Sequence, residues 1–180
     1  TAKAKSTKEA KEIIKPVKEK IIKQFPKYVI GENDDTLASV LISELSKRKE
    51  SLAFAESCTG GLLSSSITSI PGSSKIFKGS IIAYKNEIKQ SILNVPNDLL
   101  IRYGAVSEEV AESMAIGLKK ILKSDWGISI SGIAGPEGGS DAKPIGLVHI
   151  SIIGPNNKIK NLKKIFNSTR NRIDIQRLSV

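Results

Sequence analysis

The sequence predicts an α/β fold: a single three-layer domain with a mostly buried mixed sheet of about five strands and helices on both faces. Three observations lead there. Short apolar runs of strand length alternate with segments of helical period along residues 52–165. Several of those runs end at glycine-bearing corners, as strands that feed loops and helices do. No self-similarity appears at 20–50 residues, which excludes a repeat architecture.

The elements follow in chain order. Residues 8–24 place Ile13, Ile14, Val17, Ile21 and Ile22 on one helical stripe, with Pro16 expected to kink or split it. Residues 31–35, GENDD, read as a turn, with Asp34 or Asp35 capping a helix that carries Leu37, Val40, Leu41 and Leu45. SLAFAE is a short buried strand. LLSSSITSI, residues 62–70, is a helix of small residues stopped by PGSS, and small side chains let it lie close to a sheet. FKGSIIAY is a second strand, NEIKQSIL a short helix and VPNDLLIRYG a helical turn or loop. From Ser107 the sequence carries its clearest helix: Ser107 is the expected N-cap, Glu108 and Glu109 complement the dipole, and Val110, Met114, Leu118, Ile121 and Leu122 form the buried face. WGISIS, GLVHISII and KIKNLKKIF supply the third, fourth and fifth strands, and STRNRIDIQRLSV opens a last helix.

Composition narrows the function. A chain of 180 residues with 39% hydrophobic and 26% charged residues can build one soluble core with extensions. No apolar run approaches a membrane span, and the lysine-rich start lacks the apolar stretch of a secretory signal, so no membrane partner is expected. The sequence starts without Met and reads as a piece of a longer chain. One cysteine and one histidine leave no disulfide and no cysteine- or histidine-built metal centre, so neither a metal nor a cofactor is expected, and the cytoplasm is the expected location. The net charge of +10 resides at the ends: residues 1–27 and 156–180 carry +6 each, whereas 28–155 carry −2. The domain reading is therefore a basic N-terminal helical extension or linker at 1–30, then a functional domain at 31–180. The basic ends admit nucleic-acid binding, although a solvated lysine-rich surface has the same pattern.

Two strand-to-loop corners could carry chemistry. In ESCTGG, residues 56–61, Ser57 and Cys58 are adjacent candidate nucleophiles, and backbone N–H groups at such a corner can hold an oxyanion or a phosphate. The spacing is not that of a G-x-S-x-G elbow, and an ordinary tight βα turn shares it. SGIAGPEGGS, residues 131–140, is neither a Walker A loop nor a dinucleotide fingerprint, yet its glycines let N–H groups converge on an anion, with Lys143 nearby. His149 is the one histidine available to activate either nucleophile, and a lone histidine in a strand is ordinarily a packed residue. Lys89 is the other candidate base: it follows the second strand, and parallel neighbours would bring that strand's end beside Ser57.

Taken in order, AESCTGG, IPGSS, the F-K-G…A-Y-x-N-E-x-K pattern, GAVSEEVA and SGIAGPEGGSDAKPIGLV closely resemble the C-terminal domain of the CinA family, the competence/damage-inducible protein A group, over roughly residues 36–175. The resemblance implies an amidohydrolase that converts nicotinamide mononucleotide to nicotinate mononucleotide and ammonia through a Ser-Lys acyl-enzyme. It implies Ser57 as nucleophile, Lys89 as base and Tyr84 as the catalytic tyrosine that orients Lys89 or the substrate. It also implies a substrate surface of Thr59, Gly60, Gly61, Gly132, Ile133, Ala134, Gly135, Pro136, Gly138 and Gly139, with Arg170 suited to the phosphate. N–H groups of residues 58–61 would hold the oxyanion. Self-association is a further implication. Tyr84 is followed by Lys85 where a small residue is usual, and Ser168 and Thr169 stand where Gly-Asp usually precedes the arginine. The alternative is a catalytically weak nucleotide-binding or regulatory module of a larger protein of this kind.

Overall fold

The structure, a computed structural model, describes residues 2–167 and 170–180. Its residues group into two compact units, 1–40 and 41–180. In the first, helix α1 (Thr7–Gln24) is capped by Ser6, whose Oγ accepts the Glu9 N–H at 3.2 Å, and it runs through Pro16 without being split. None of its residues is buried. The expected stripe of Ile13, Ile14, Val17, Ile21 and Ile22 lines one shallow apolar groove with Val29, and Lys18 pairs with Glu32 beside it. Helix α2 (Leu37–Arg48) is opened by Thr36 rather than Asp34 or Asp35: Thr36 and Ser39 exchange backbone-to-hydroxyl bonds of 2.9 and 3.1 Å. The Asp35 carboxylate is spent on the Glu32 N–H at 2.8 Å and so cannot cap.

The second unit is built on a five-stranded mixed sheet of order β2-β1-β3-β4-β5, comprising β1 (Leu52–Glu56), β2 (Phe77–Ile82), β3 (Trp126–Gly132), β4 (Leu147–Ile153) and β5 (Ile159–Ile165). β1 is central and parallel to both β2 and β3, while β4 and β5 add antiparallel hairpin strands. Every residue of β1 is buried, as a strand covered on both faces must be.

Alternation sends Ala53 and Ala55 to one face, where they pack with Val110, Met114 and Leu118 of α6 (Glu108–Leu122). Register adds Gly127, Ser129 and Ser131 of β3 to that face. This floor of small residues lets α6 lie close: Ser129 Oγ bonds Ala111 O, and a Cβ at Gly127 would fall 2.9 Å from Ala115 O. The helix buries Ala111 and Ala115 alongside the expected Val110, Met114 and Leu118, whereas Leu122 is half-buried and Ile121, expected inside, is 40% exposed. On the opposite face, Ile130 and Val148 pack with Cys58, Ile175 of α7 (Arg172–Leu178) and Leu63 of α3 (Leu62–Thr68). Two short helices, α4 (Asn86–Ser91) and α5 (Asn97–Tyr103), connect β2 to α6.

Candidate active site

The corner after β1 is held by its own glutamate. Glu56 is fully buried, and its carboxylate accepts the N–H groups of Gly61 (2.9 Å), Leu63 (3.1 Å) and Ser64 (2.8 Å) together with the Ser64 hydroxyl. All its partners donate, so both carboxylate oxygens are satisfied within the corner. A helix start leaves orphan N–H groups, and a buried carboxylate needs donors; here each satisfies the other. The chain reverses over Gly60 and Gly61 with φ of 62° and 105°, where a side chain would be strained.

That arrangement revises the expectation for the oxyanion. The Gly60 N–H is taken by Ser57 O (3.2 Å) and the Gly61 N–H by Glu56, so neither is free for a ligand. Among the described residues, the N–H groups of Cys58 and Thr59 have no protein acceptor. The Thr59 hydroxyl is also buried without a partner. A depression of about 440 Å³ beside the turn is lined by Thr59, Gly60, Gly61, Ser65, Gln176 and Arg177.

The structure brings Ser57 and Lys89 together. Because β1 and β2 are parallel, with Glu56 opposite Ile82, the end of β2 lies next to Ser57, and the Ala83 N–H donates to Glu56 O at 2.8 Å. The chain then enters α4 with Lys85 as the N-cap residue, and α4 turns Lys89 back under the corner. Lys89 is 1% exposed. Its Nζ lies 3.2 Å from Ser57 Oγ, 2.6 Å from Ala83 O and 3.2 Å from Tyr84 O. No carboxylate joins this cradle among the described residues, so burial pushes the Lys89 pKa below its usual value, opposed only by the neighbouring Cys58.

The same corner separates the two nucleophile candidates. Burial pushes the Cys58 thiol up to about 11, so at neutral pH it is protonated and unreactive. His149 does not reach it: Cys58 packs with Val148, whereas alternation turns His149 to the α6 face, opposite Ser131 and Lys163. Burial and then the Lys163 charge lower the His149 pKa, and its Nδ1 is buried without a protein partner.

The remaining expected residues divide. Tyr84 meets Lys89 through its carbonyl, while its side chain is 57% exposed and its hydroxyl accepts a 2.7 Å bond from Arg172 Nη2. Gly132 lies against the corner, where an added Cβ would be 3.1 Å from Cys58 Sγ and 2.8 Å from Leu147 O. Ile133 is fixed by backbone bonds with Leu147 and Gly146, and Ala134 is packed in the core beside Cys58. Gly135, Pro136, Gly138 and Gly139 form the following loop, with a cis Gly135–Pro136 bond. Lys143 is spent inside the fold, its Nζ bonding Tyr103 O and Val106 O (2.7 Å). Arg170 is exposed and donates its N–H to Asn167 O; Ser168 and Thr169 lie outside the described residues.

Sequence reasoning missed three residues. Glu56 is one. Arg172 is another: besides Tyr84 it bonds Gly135 O at 2.8 Å. Gln176 is the third, donating to Cys58 O at 2.7 Å. The signal for the last two was two polar residues bracketing the buried Ile175 on one short helix.

The family follows from comparison with known proteins. A family model described as the CinA C-terminal domain matches residues 34–180. The chain belongs to the CinA family. A CinA-like protein of Prochlorococcus marinus subsp. pastoris is 69% identical over all 180 residues, and another, from Prochlorococcus marinus strain SARG, is 48% identical over the same length. The chain spans 42% of the length of these relatives. Among solved structures, the competence/damage inducible protein CihA of Agrobacterium tumefaciens is 34% identical, with a TM-score of 0.76 over 78% of this chain and 84% of that one. A CinA superfamily protein of Escherichia coli is 31% identical, with a TM-score of 0.76 over 86% and 91%. Among the described residues of this CinA domain, no helix is long and apolar enough to cross a membrane.

Proposed function

We propose that this CinA domain is an amidohydrolase that converts nicotinamide mononucleotide to nicotinate mononucleotide and ammonia. The observation that carries the reading is the contact between Ser57 Oγ and a buried lysine amine at 3.2 Å, in a cradle of neutral oxygens. Burial there lowers the Lys89 pKa, which favours its acting as a proton acceptor for the Ser57 hydroxyl.

In this reading Ser57 attacks the carboxamide carbon while Lys89 takes the Oγ proton. Carbonyl π electrons move to oxygen, where the N–H groups of Cys58 and Thr59 are the available donors. The tetrahedral centre collapses, its C–N bond breaks, and Lys89 returns the proton to departing ammonia. Water, deprotonated by Lys89, then cleaves the acyl-enzyme. The pyridinium charge of the substrate draws electrons from the carboxamide and makes it a better electrophile. Tyr84 and the 132–139 loop form the substrate wall. Residues 31–180 act as the catalytic domain and 1–30 as a basic extension; the domain works in the cytoplasm and self-associates.

The test is ammonia release from nicotinamide mononucleotide by the parent protein, Ser57→Ala, Lys89→Ala and Cys58→Ala. The expected result is turnover by the parent and the Cys58 variant only. A parent that binds the nucleotide without releasing ammonia would instead support a regulatory nucleotide-binding module.

A further inference from the structure

We infer that Gln176 is a positioning residue for the oxyanion site: from helix α7 it holds the Cys58–Thr59 peptide so that the Thr59 N–H is preset for the developing negative charge. The inference rests on the amidase reading and deepens it, because it names what fixes a donor that the reading uses.

Three observations carry it. First, each of the two N–H groups left open at the corner belongs to a peptide whose carbonyl is held. Ser57 O, in the peptide that carries the Cys58 N–H, accepts from the Gly60 N–H at 3.2 Å. Cys58 O, in the peptide that carries the Thr59 N–H, accepts from Gln176 Nε2 at 2.7 Å. Second, the two holds differ in origin. The first is made within the turn. The second arrives from 118 positions away, and among the described residues no other donor reaches Cys58 O. Third, the Gln176 side chain starts from an anchored helix. Ile175 beside it is fully buried, Asn171 Oδ1 caps α7 by accepting the Asp174 N–H at 2.9 Å, and Arg172 ties the first turn to Tyr84 and Gly135.

The consequence follows from peptide geometry. The C=O and N–H of a trans peptide point in opposite directions, so a donor that takes Cys58 O from the α7 side sends the Thr59 N–H away from α7. The same bond polarises the peptide and strengthens that N–H as a donor. A donor aimed in advance stabilises an oxyanion without reorganising as the charge appears. Gln176 does this without touching the substrate.

The test measures kcat and KM for ammonia release from nicotinamide mononucleotide, and the dissociation constant of nicotinate mononucleotide, for the parent, Gln176→Met, Gln176→Glu and Gln176→Lys. Gln176→Met keeps the size of the side chain and loses the donor. It is expected to lower kcat roughly 10-fold, with KM and product affinity within about twofold of the parent. Gln176→Glu, which when ionised only accepts, falls at least as far, and Gln176→Lys, which returns an N–H donor, recovers part of the loss. An unchanged kcat in Gln176→Met overturns the inference. A fall in kcat matched by an equal loss of product affinity overturns it too, because it marks a strut for α7 alone. Should Gln176→Met not fold, Gln176→Glu against Gln176→Lys makes the same comparison, and equal kcat in those two overturns the inference. If the parent releases no ammonia, the amidase reading fails separately, and the rate at which an alkyl fluorophosphonate labels Ser57 decides, since its phosphoryl oxygen draws on the same donors. Slower labelling in Gln176→Met supports the inference; an equal rate, or no labelling of the parent, overturns it.

Discussion

The corner after β1 and the loop after β3 each have a lysine whose ammonium rests on main-chain carbonyls, yet they do different things. Lys89 is sealed at 1% exposure against Ala83 O and Tyr84 O, and its third neighbour is the Ser57 hydroxyl. Lys143 is partly exposed, and it ties the glycine loop to the turn between α5 and α6 through Tyr103 O and Val106 O. A carbonyl cradle fixes a lysine in both places. Burial without a carboxylate, beside a hydroxyl, is what sets Lys89 apart and supports its proposed role as a base.

Substitutions should separate the two regions sharply. The largest effect is expected from Ser57→Ala, which should lower kcat by at least about 1,000-fold while leaving the thermal midpoint near that of the parent. Lys89→Met should follow at about 100- to 10,000-fold in kcat, the range for loss of a positioned base. By contrast, Lys143→Met should cost about 1–2 kcal/mol of stability and keep the shape of the rate–pH profile, measured by denaturant titration and by kinetics. Equal kinetic damage from both lysine variants would break the comparison.

The pH profile sharpens it further. Because the base must be neutral, kcat/KM should rise with pH through the lowered pKa of Lys89, with the midpoint below 10.5. The same burial affects stability. Between the lowered folded value and 10.5 the unfolded chain binds more protons, so stability rises with pH across that window, and Lys89→Met should remove this slope. Glu56→Gln is expected to cost about 2–3 kcal/mol, because an amide cannot accept from all the donors the carboxylate holds. The smallest effect belongs to Cys58→Ala: activity within about threefold of the parent and a stability loss of about 1 kcal/mol.

Much of the sheet was legible because strands covered on both faces are short apolar runs, as LAFAE is. The helix from Ser107 was legible through its cap and its 3.6-residue period, except at Ile121, which lies off the buried stripe while Leu122 beside it still packs on the core. Ser57 and Lys89 emerged as a candidate pair from motif order, and the parallel register of β1 and β2 explains how they meet across 32 positions. Glu56 was invisible as a lock because its partners are backbone groups, which carry no letter in the sequence. For Arg172 the local pattern around Ile175 marks a polar position but not its partner, because the Tyr84 hydroxyl it bonds is 88 positions away. Thr36 caps instead of Asp34 or Asp35, and for Asp35 the reason is that its carboxylate is claimed first by its own turn.

Helix α7 has seven residues, too few to persist alone in water. It is held by Ile175 and by bonds that reach back 88 and 118 positions, to Tyr84 and Cys58. Its opening is expected to cost less free energy than that of the central strands, because few contacts besides these hold it. Occupancy of the neighbouring cleft and docking of α7 are therefore linked. Amide exchange in α7 should slow when a ligand binds, so deuterium uptake there reports occupancy from a helix that never touches the reacting carbon.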